Sequence, residues 1–137
     1  MTDSFNIQIK NNKKYIYDVI RKKFVVLTPE EWVRQNFVLF LIEQQKVPKS
    51  LISVEKVISV GKQKKRFDIL ITHNNKTWML VECKSQDVIL TKESLSQILS
   101  YNVTLKASYI VMTNGLDIMC YSTNTHQWIN ELPLFSI

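Results

Sequence analysis

"RFDILITHNNKTWMLVECKSQ", residues 66–86, decides the fold. Two apolar runs flank the polar stretch "HNNK" at 73–76, and each carries ionisable groups where apolar ones belong. Asp68 interrupts the first run; Glu82 and Lys84 close the second. Side chains of a strand alternate between its two faces. In "WMLVECK", Trp78, Leu80, Glu82 and Lys84 therefore share one face, and Met79, Val81 and Cys83 the other. In "FDILIT", Asp68, Leu70 and Thr72 share a face. The runs predict a hairpin whose loop length decides where the acids go. A two-residue loop of Asn74-Asn75 pairs 73 with 76 and sends Asp68 and Glu82 to opposite faces. A three-residue loop, 74–76, pairs 73 with 77 and sets the two acids directly across from each other. Opposed Cβ atoms are then about 4.5–5.5 Å apart. Asparagine tolerates the left-handed backbone such a loop needs, and the three-residue loop is the expectation.

Two carboxylates so placed repel, and burial aggravates the repulsion. A divalent cation relieves it. Mg²⁺, with Mn²⁺ as a substitute, takes hard oxygen ligands, few of them from the protein, and completes its shell with phosphate or water. Asp68 and Glu82 are the candidate metal ligands, with the backbone carbonyl of Cys83 as a third. Lys84 stands on the same face as Glu82, about 7 Å along the strand. Beside acids it stays protonated, so its role is to orient the attacking water and stabilise charge building on phosphorus. Such a set hydrolyses phosphodiesters. The bland alternative makes Asp68 and Glu82 half-exposed strand residues paired with Arg66 and Lys84. Their position in apolar runs, beside basic turns, weighs for the site.

Around this hairpin, "FNIQI" and "YIYDVI" alternate across "KNNKK" and predict an N-terminal hairpin, followed by a short extended piece in "FVVLTPEEW". Thr28 caps a helix with Pro29 at its first position and Glu31 three residues after the cap. Trp32, Val33, Phe37, Phe40 and Leu41 recur at helical spacing, and Val47-Pro48 ends the helix. "SLISVEKVISV" reads as a strand turning at Gly61. After residue 86, "TKESLSQILSYNVTL" reads as a second helix capped by Thr91, with Leu95, Ile98, Leu99 and Val103 as its stripe. "ASYIVMTN" and "LDIMCYS" read as strands turning at Asn114-Gly115, with a further short strand around Trp128. The order β, β, α, β-β-β, α, β-β predicts an α/β protein of the α+β kind, a central mixed sheet flanked by helices.

The 137 residues suit one domain, 1–137. Apolar residues make up 45% and charged residues 22%, with Gly scarce and no linker visible. No apolar run approaches the roughly 20 residues of a membrane span, and no signal pattern opens the chain. Cys83 and Cys120 form neither a disulfide framework nor a metal-ligand spacing, so the expectation is a reduced, cytoplasmic protein with no membrane partner. The net charge of +6 is uneven: residues 1–66 carry +8, and residues 67–137 carry −2. Such asymmetry points to a polyanionic partner. Its candidate contacts are Arg21, Lys22 and Lys23, and Lys62, Lys64, Lys65 and Arg66, with "KNNKK" a third cluster. His73 and His126 lack zinc spacing, and Trp32, Trp78 and Trp128 are assigned to the core or its edge. Glu55 shares a face with Ser53 and Val57; pointing to the active site is the alternative weighed for it, and the surface is the assignment preferred, while Cys83, alternating away from Glu82, is assigned to the core.

"RFDILI…WMLVECKS" resembles the active-site hairpin of the PD-(D/E)XK nucleases, with Asp68 in the place of the motif's Asp and Glu82-Cys83-Lys84 as its acid-x-Lys. "LTPEEWVRQNFVLFLI", "KRFDILI", "LVECKS", "QILSYN" and "YIVMTNGLDIMCY" are similar, in order, to the N-terminal nuclease region of type I restriction enzyme R subunits, over roughly residues 15 to 135. The resemblance implies a restriction-endonuclease-like sheet and Mg²⁺-dependent cleavage of DNA, with other restriction or repair subunits as partners. It implies roles for Gln97 and Tyr101, which match the Gln-x-x-x-Tyr element of the RecB-type branch. Four apart on a helix they share a face, placed to touch the DNA backbone or orient Lys84. Without the resemblance they read as a solvated residue and a core edge. Glu31 matches the acid of the first helix that assists the metal site; closing the capping box is the equal alternative. Phe67 departs from the motif's Pro. No G-x-x-x-x-G-K-[ST] pattern is present, so the expectation is a stand-alone domain, a fragment or a subunit that does not translocate DNA unaided. The competing reading is a non-catalytic nucleic-acid-binding or assembly module that keeps the nuclease fold. An RNA nuclease is a third, since no residue here separates RNA from DNA.

Overall fold

The computed structural model describes residues 5–136, with the backbone alone at 101, 103 and 104. Alternation in the N-terminal stretch builds three short strands, β1 (Ile7–Lys10), β2 (Lys13–Asp18) and β3 (Lys23–Val26), in an antiparallel sheet. The Asn11-Asn12 turn between the first two has both residues left-handed, with φ of 52° and 63°. The extended piece expected before the first helix is β3.

Helix α1 (Pro29–Glu43) begins where the capping residues predict. Thr28 Oγ1 accepts the Glu31 backbone N–H at 3.0 Å. The reciprocal half of a capping box does not form: the Thr28 N–H goes to the Val26 carbonyl, and the Glu31 carboxylate is engaged elsewhere. The helix buries Val33, Phe37, Val38 and Leu41. A single 3₁₀ turn, Lys49–Leu51, leads into the large sheet.

That sheet has six strands in the order β4 (Ile52–Val60), β5 (Gln63–His73), β6 (Lys76–Cys83), β7 (Tyr109–Thr113), β8 (Ile118–Ser122) and β9 (Gln127–Ile129). All neighbours are antiparallel except β6 and β7, which α2 (Lys92–Leu105) joins as a crossover. The mixed α/β class read from the sequence is the one observed. Apolar residues sort into two layers. Ile52, Val54, Ile69, Ile71, Met79 and Val81 pack with α1. Phe67, Leu70, Leu80, Ile110 and Met112 pack with Leu95 and Ile98 of α2. Among the described residues, no helix is long and apolar enough to cross a membrane.

The loop between β5 and β6 corrects the expectation. It holds two residues, Asn74 and Asn75, both left-handed (φ 52° and 61°), and His73 pairs with Lys76. A two-residue turn of this hand matches the strand twist. On its own this register sends Asp68 and Glu82 to opposite faces. A bulge reverses that. Thr72 pairs with Thr77, but Ile71 pairs with Met79, leaving Trp78 as the extra residue. From there Ile69 faces Val81, so the next step of the ladder sets Asp68 across from Glu82. The predicted opposition is present; its cause is the bulge.

Candidate functional site

On the other side of Asp68, β4 pairs Val54 with Ile69 and Lys56 with Phe67. Glu55, bracketed by those pairs, stands across from Asp68. Three carboxylates, Glu55, Asp68 and Glu82, thus occupy one register line across three adjacent strands. At this line the strands change character. Glu55 is left-handed, with φ of 57°, a conformation an acidic residue rarely takes inside a strand. Ile69 buries in the α1 layer, whereas Phe67, two residues away, buries in the α2 layer. Ordinary alternation keeps residues i and i+2 on one face. The β4–β5 ribbon therefore turns over at 55 and 68, and the acids sit at the twist.

Asp68 is held on both oxygens. Oδ2 accepts the Cys83 backbone N–H at 2.9 Å, and Oδ1 accepts Arg34 Nη1 at 2.9 Å. Arg34 is buried in α1, and its other edge grips Glu31: Nε donates to Oε2 at 2.9 Å and Nη2 to Oε1 at 2.8 Å. Nη1 also donates to Glu55 Oε1. The network runs on. Glu31 accepts from Gln35 and from Arg21 Nη2, and Arg21 Nε donates to Asp18 at 2.6 Å. Glu55 Oε2 lies 3.3 Å from Arg66 Nε. The pairing of Asp68 with Arg66 weighed from the sequence is not the one formed: Asp68 takes Arg34, and Arg66 takes Glu55.

Burial first, then the negative charge of Asp68, pushes the Glu82 carboxyl up to about 7; Lys65, Lys84 and the Asp68 backbone pull it partly back. Burial also raises Asp68, more than the Cys83 N–H and Arg34 lower it. Arg34 is held above its ordinary value: burial opposes its charge, but Glu31 and Glu55 outweigh that. Burial raises the Cys83 thiol, and Asp68 adds to it, which suits a core residue and not a nucleophile.

The remaining predicted residues divide. Lys84 follows directly on β6, half-buried; its N–H bonds the Thr113 carbonyl at 2.8 Å, and its charge bears on Glu82. Lys65 also bears on Glu82, while Lys62, Lys64 and Arg66 are exposed on the same hairpin. Lys22 and Lys23 are exposed, but Arg21 is built into the ion-pair chain instead of facing solvent with them. Gln97 lies on the exposed side of α2 and is not among the described groups bonded to the carboxylates. The Tyr101 side chain lies outside the described residues.

Sequence reasoning missed Arg34 and placed Glu55 on the surface. Both gave a signal: Arg34 is a charged residue beside Val33 in the buried stripe of α1, and Glu55 interrupts "ISVEKVISV" as Asp68 interrupts its own run. Among the described residues, no group of three or more His, Cys, Asp or Glu is arranged to hold a metal ion. The donor set available to a cation is Asp68 and Glu82. Its chemistry fits a hard divalent ion, for both are hard carboxylates raised by burial, Asp68 raises Glu82 further, and two such ligands leave the rest of the shell to other oxygens.

A model of the N terminus of type I restriction enzyme R proteins matches residues 29–133. The chain belongs to this family. The match takes in both helices and all six strands of the large sheet, and β1 to β3 precede it. Every residue of the carboxylate row lies inside the R-protein region, as do Lys84, Arg34 and Glu31. Comparison with curated proteins gives no match.

Proposed function

We propose that this R-protein N-terminal domain is a divalent-cation-dependent DNA endonuclease whose reaction is phosphodiester hydrolysis. The observation that carries the reading is the opposition of Asp68 and Glu82 across β5 and β6, with Lys84 beside them. Asp68 and Glu82 would hold the ion, with the Cys83 carbonyl as a further ligand. Mg²⁺ or Mn²⁺ held there would supply Lewis acidity and activate water for attack. Lys84 would orient the attacking water and neutralise charge on the phosphoryl oxygens. Lys22, Lys23, Lys62, Lys64 and Arg66 contact backbone phosphates, which gives salt-sensitive binding with little sequence preference. Gln97 and Tyr101 support the substrate, and Glu31 acts through Arg34.

A specific observation favours a second reading. Arg34 already engages Asp68 and Glu55, which is how an ion-pair network in a non-catalytic binding or assembly module would look. Two measurements separate them. Plasmid, single-stranded DNA and RNA are incubated with Mg²⁺, Mn²⁺ or chelator, for wild type and Lys84→Ala. The nuclease reading expects cleavage that needs metal and falls at least about 100-fold in the variant. Calorimetric titration with Mg²⁺ should give binding that disappears in Glu82→Gln. Undiminished cleavage by Lys84→Ala removes the mechanism, and a wild type that binds no Mg²⁺ leaves the module. RNA as the better substrate would redirect the reading to an RNA nuclease.

A further inference from the structure

Arg34 meets the carboxylate row with one corner and the helix with the other. Its Nε and Nη2 are fixed on Glu31, and Glu31 is itself fixed by Arg21 and Gln35. Only Nη1 reaches the sheet, where it serves Asp68 Oδ1 and Glu55 Oε1 together. The Arg34 side chain is 8% exposed, so water does little of this neutralisation. Glu55 sits on the row at a left-handed position and is shared with Arg66. A guanidinium and a divalent ion answer the same electrostatic need, and each weakens the attraction of the acids for the other. The arrangement also gives Nη1 a second partner. When Asp68 turns its charge toward a cation, Arg34 keeps Glu55 and both bonds to Glu31.

Resting on the metal-dependent reading above, we propose that Arg34 is a resident counter-ion that sets the affinity of the Asp68–Glu82 site for divalent cations. It holds Glu55 of β4 and Asp68 of β5 together in the cation-free protein and yields Asp68 Oδ1 when the ion enters. Arg34 is on this view a positioning residue that works through Asp68. A purely structural Arg34 would stabilise the fold without any bearing on metal.

The test is calorimetric Mg²⁺ titration and thermal unfolding of the full chain with and without MgCl₂. Wild type is compared with Arg34→Gln and with the double variant Arg34→Met/Glu31→Gln. The double variant removes the buried pair together, so that neither charge is stranded. The expectation is Mg²⁺ binding at least about tenfold tighter in both variants, since a positive neighbour of the acids is gone. Their Tm should fall without Mg²⁺ and rise more than that of wild type when it is added. If Arg34→Gln is unfolded without cation, refolding on Mg²⁺ addition supports the role and its absence counts against it. Wild type that binds Mg²⁺ beside variants that bind it no tighter overturns the counter-ion role and leaves the nuclease reading standing. No Mg²⁺ binding by any of the three overturns both.

Discussion

Glu82 shows what the site costs the fold. Its carboxyl is pushed up to about 7 by burial and by Asp68, from an ordinary value of 4.5. The folded state therefore holds a proton that the unfolded chain releases, and stability falls as pH rises from 4.5 toward 7. Below 4.5 both states are protonated and the penalty vanishes. Glu82→Gln should stabilise the cation-free protein at pH 8 by on the order of 1–3 kcal/mol, and leave it nearly unchanged at pH 4. Urea unfolding at the two pH values reads this directly; a variant less stable at pH 8 would show that Glu82 is not strained by its neighbours. Such a stabilising change is what the proposed metal-binding role of Glu82 would lead one to expect, because sites are arranged for chemistry and not for stability. Asp68 is different. It is satisfied on both oxygens, so its removal would leave the Cys83 N–H without this acceptor and take one of three carboxylate partners from Arg34.

Among the elements, two hairpins share β5 and do different work. The β5–β6 hairpin sets the site. Its turn has the length that defeats the register, and the unpaired Trp78 restores it. Bulges recur next to active sites for this reason: one extra residue re-aims every side chain beyond it. The β4–β5 hairpin carries the charge. Gly61, left-handed at φ 62°, closes its tip, and the exposed Lys62, Lys64 and Arg66 follow. Neutralising two phosphate contacts removes two released counterions. Lys62→Gln/Lys64→Gln should weaken DNA binding and flatten the plot of log affinity against log salt by about 2. Mg²⁺ affinity should stay as in wild type, because neither lysine is among the residues bearing on Asp68 or Glu82. Fluorescence anisotropy over a NaCl series measures the slope; an unchanged slope would move the DNA track away from this hairpin.

Across the chain as one body, a line of alternating charge ties the small sheet to the large one: Asp18, Arg21, Glu31, Arg34, then Glu55 and Asp68. It passes through α1, which packs on the large sheet. Asp18 is wholly buried. Burial opposes its charge, but the Arg21 and Ile20 backbone N–H groups and the Arg21 guanidinium outweigh that and hold its carboxyl below the usual range. A carboxyl lowered in the folded state contributes stability above its unfolded value and loses it as pH falls through the folded one. Glu31 is lowered in the same way against its own burial, by Arg34 and Gln35. Asp18→Asn should cost on the order of 1–3 kcal/mol at pH 7, and the gap to wild type should close as pH drops below about 4. Chemical denaturation from pH 7 to pH 3 checks it; a constant gap would mean that charge at position 18 plays no part. The sheets are thus coupled by ion pairs that persist at neutral pH and above, where Glu82 becomes costly.

Much of this protein is legible along the chain because much of it is local. The helix of Pro29–Glu43 follows from Thr28 and Pro29, and the layers from apolar alternation, both short-range properties of neighbouring residues. The choice of Asp68, Glu82 and Lys84 follows from charge set into apolar runs, which costs too much to be accidental. Other features depend on groups far apart in sequence. Arg34 and Asp68 are separated by 34 positions, and their ion pair exists only because α1 lies over the twist of the large sheet. The left-handed backbone of Glu55 and the unpaired Trp78 are likewise answers to a three-dimensional constraint: neither position has a Gly or Pro to announce it. Spacing singled out Asp68 and Glu82 as candidates. Packing chose the arginine that pairs with Asp68 and Glu55, because a buried charge takes whatever partner the fold brings within reach.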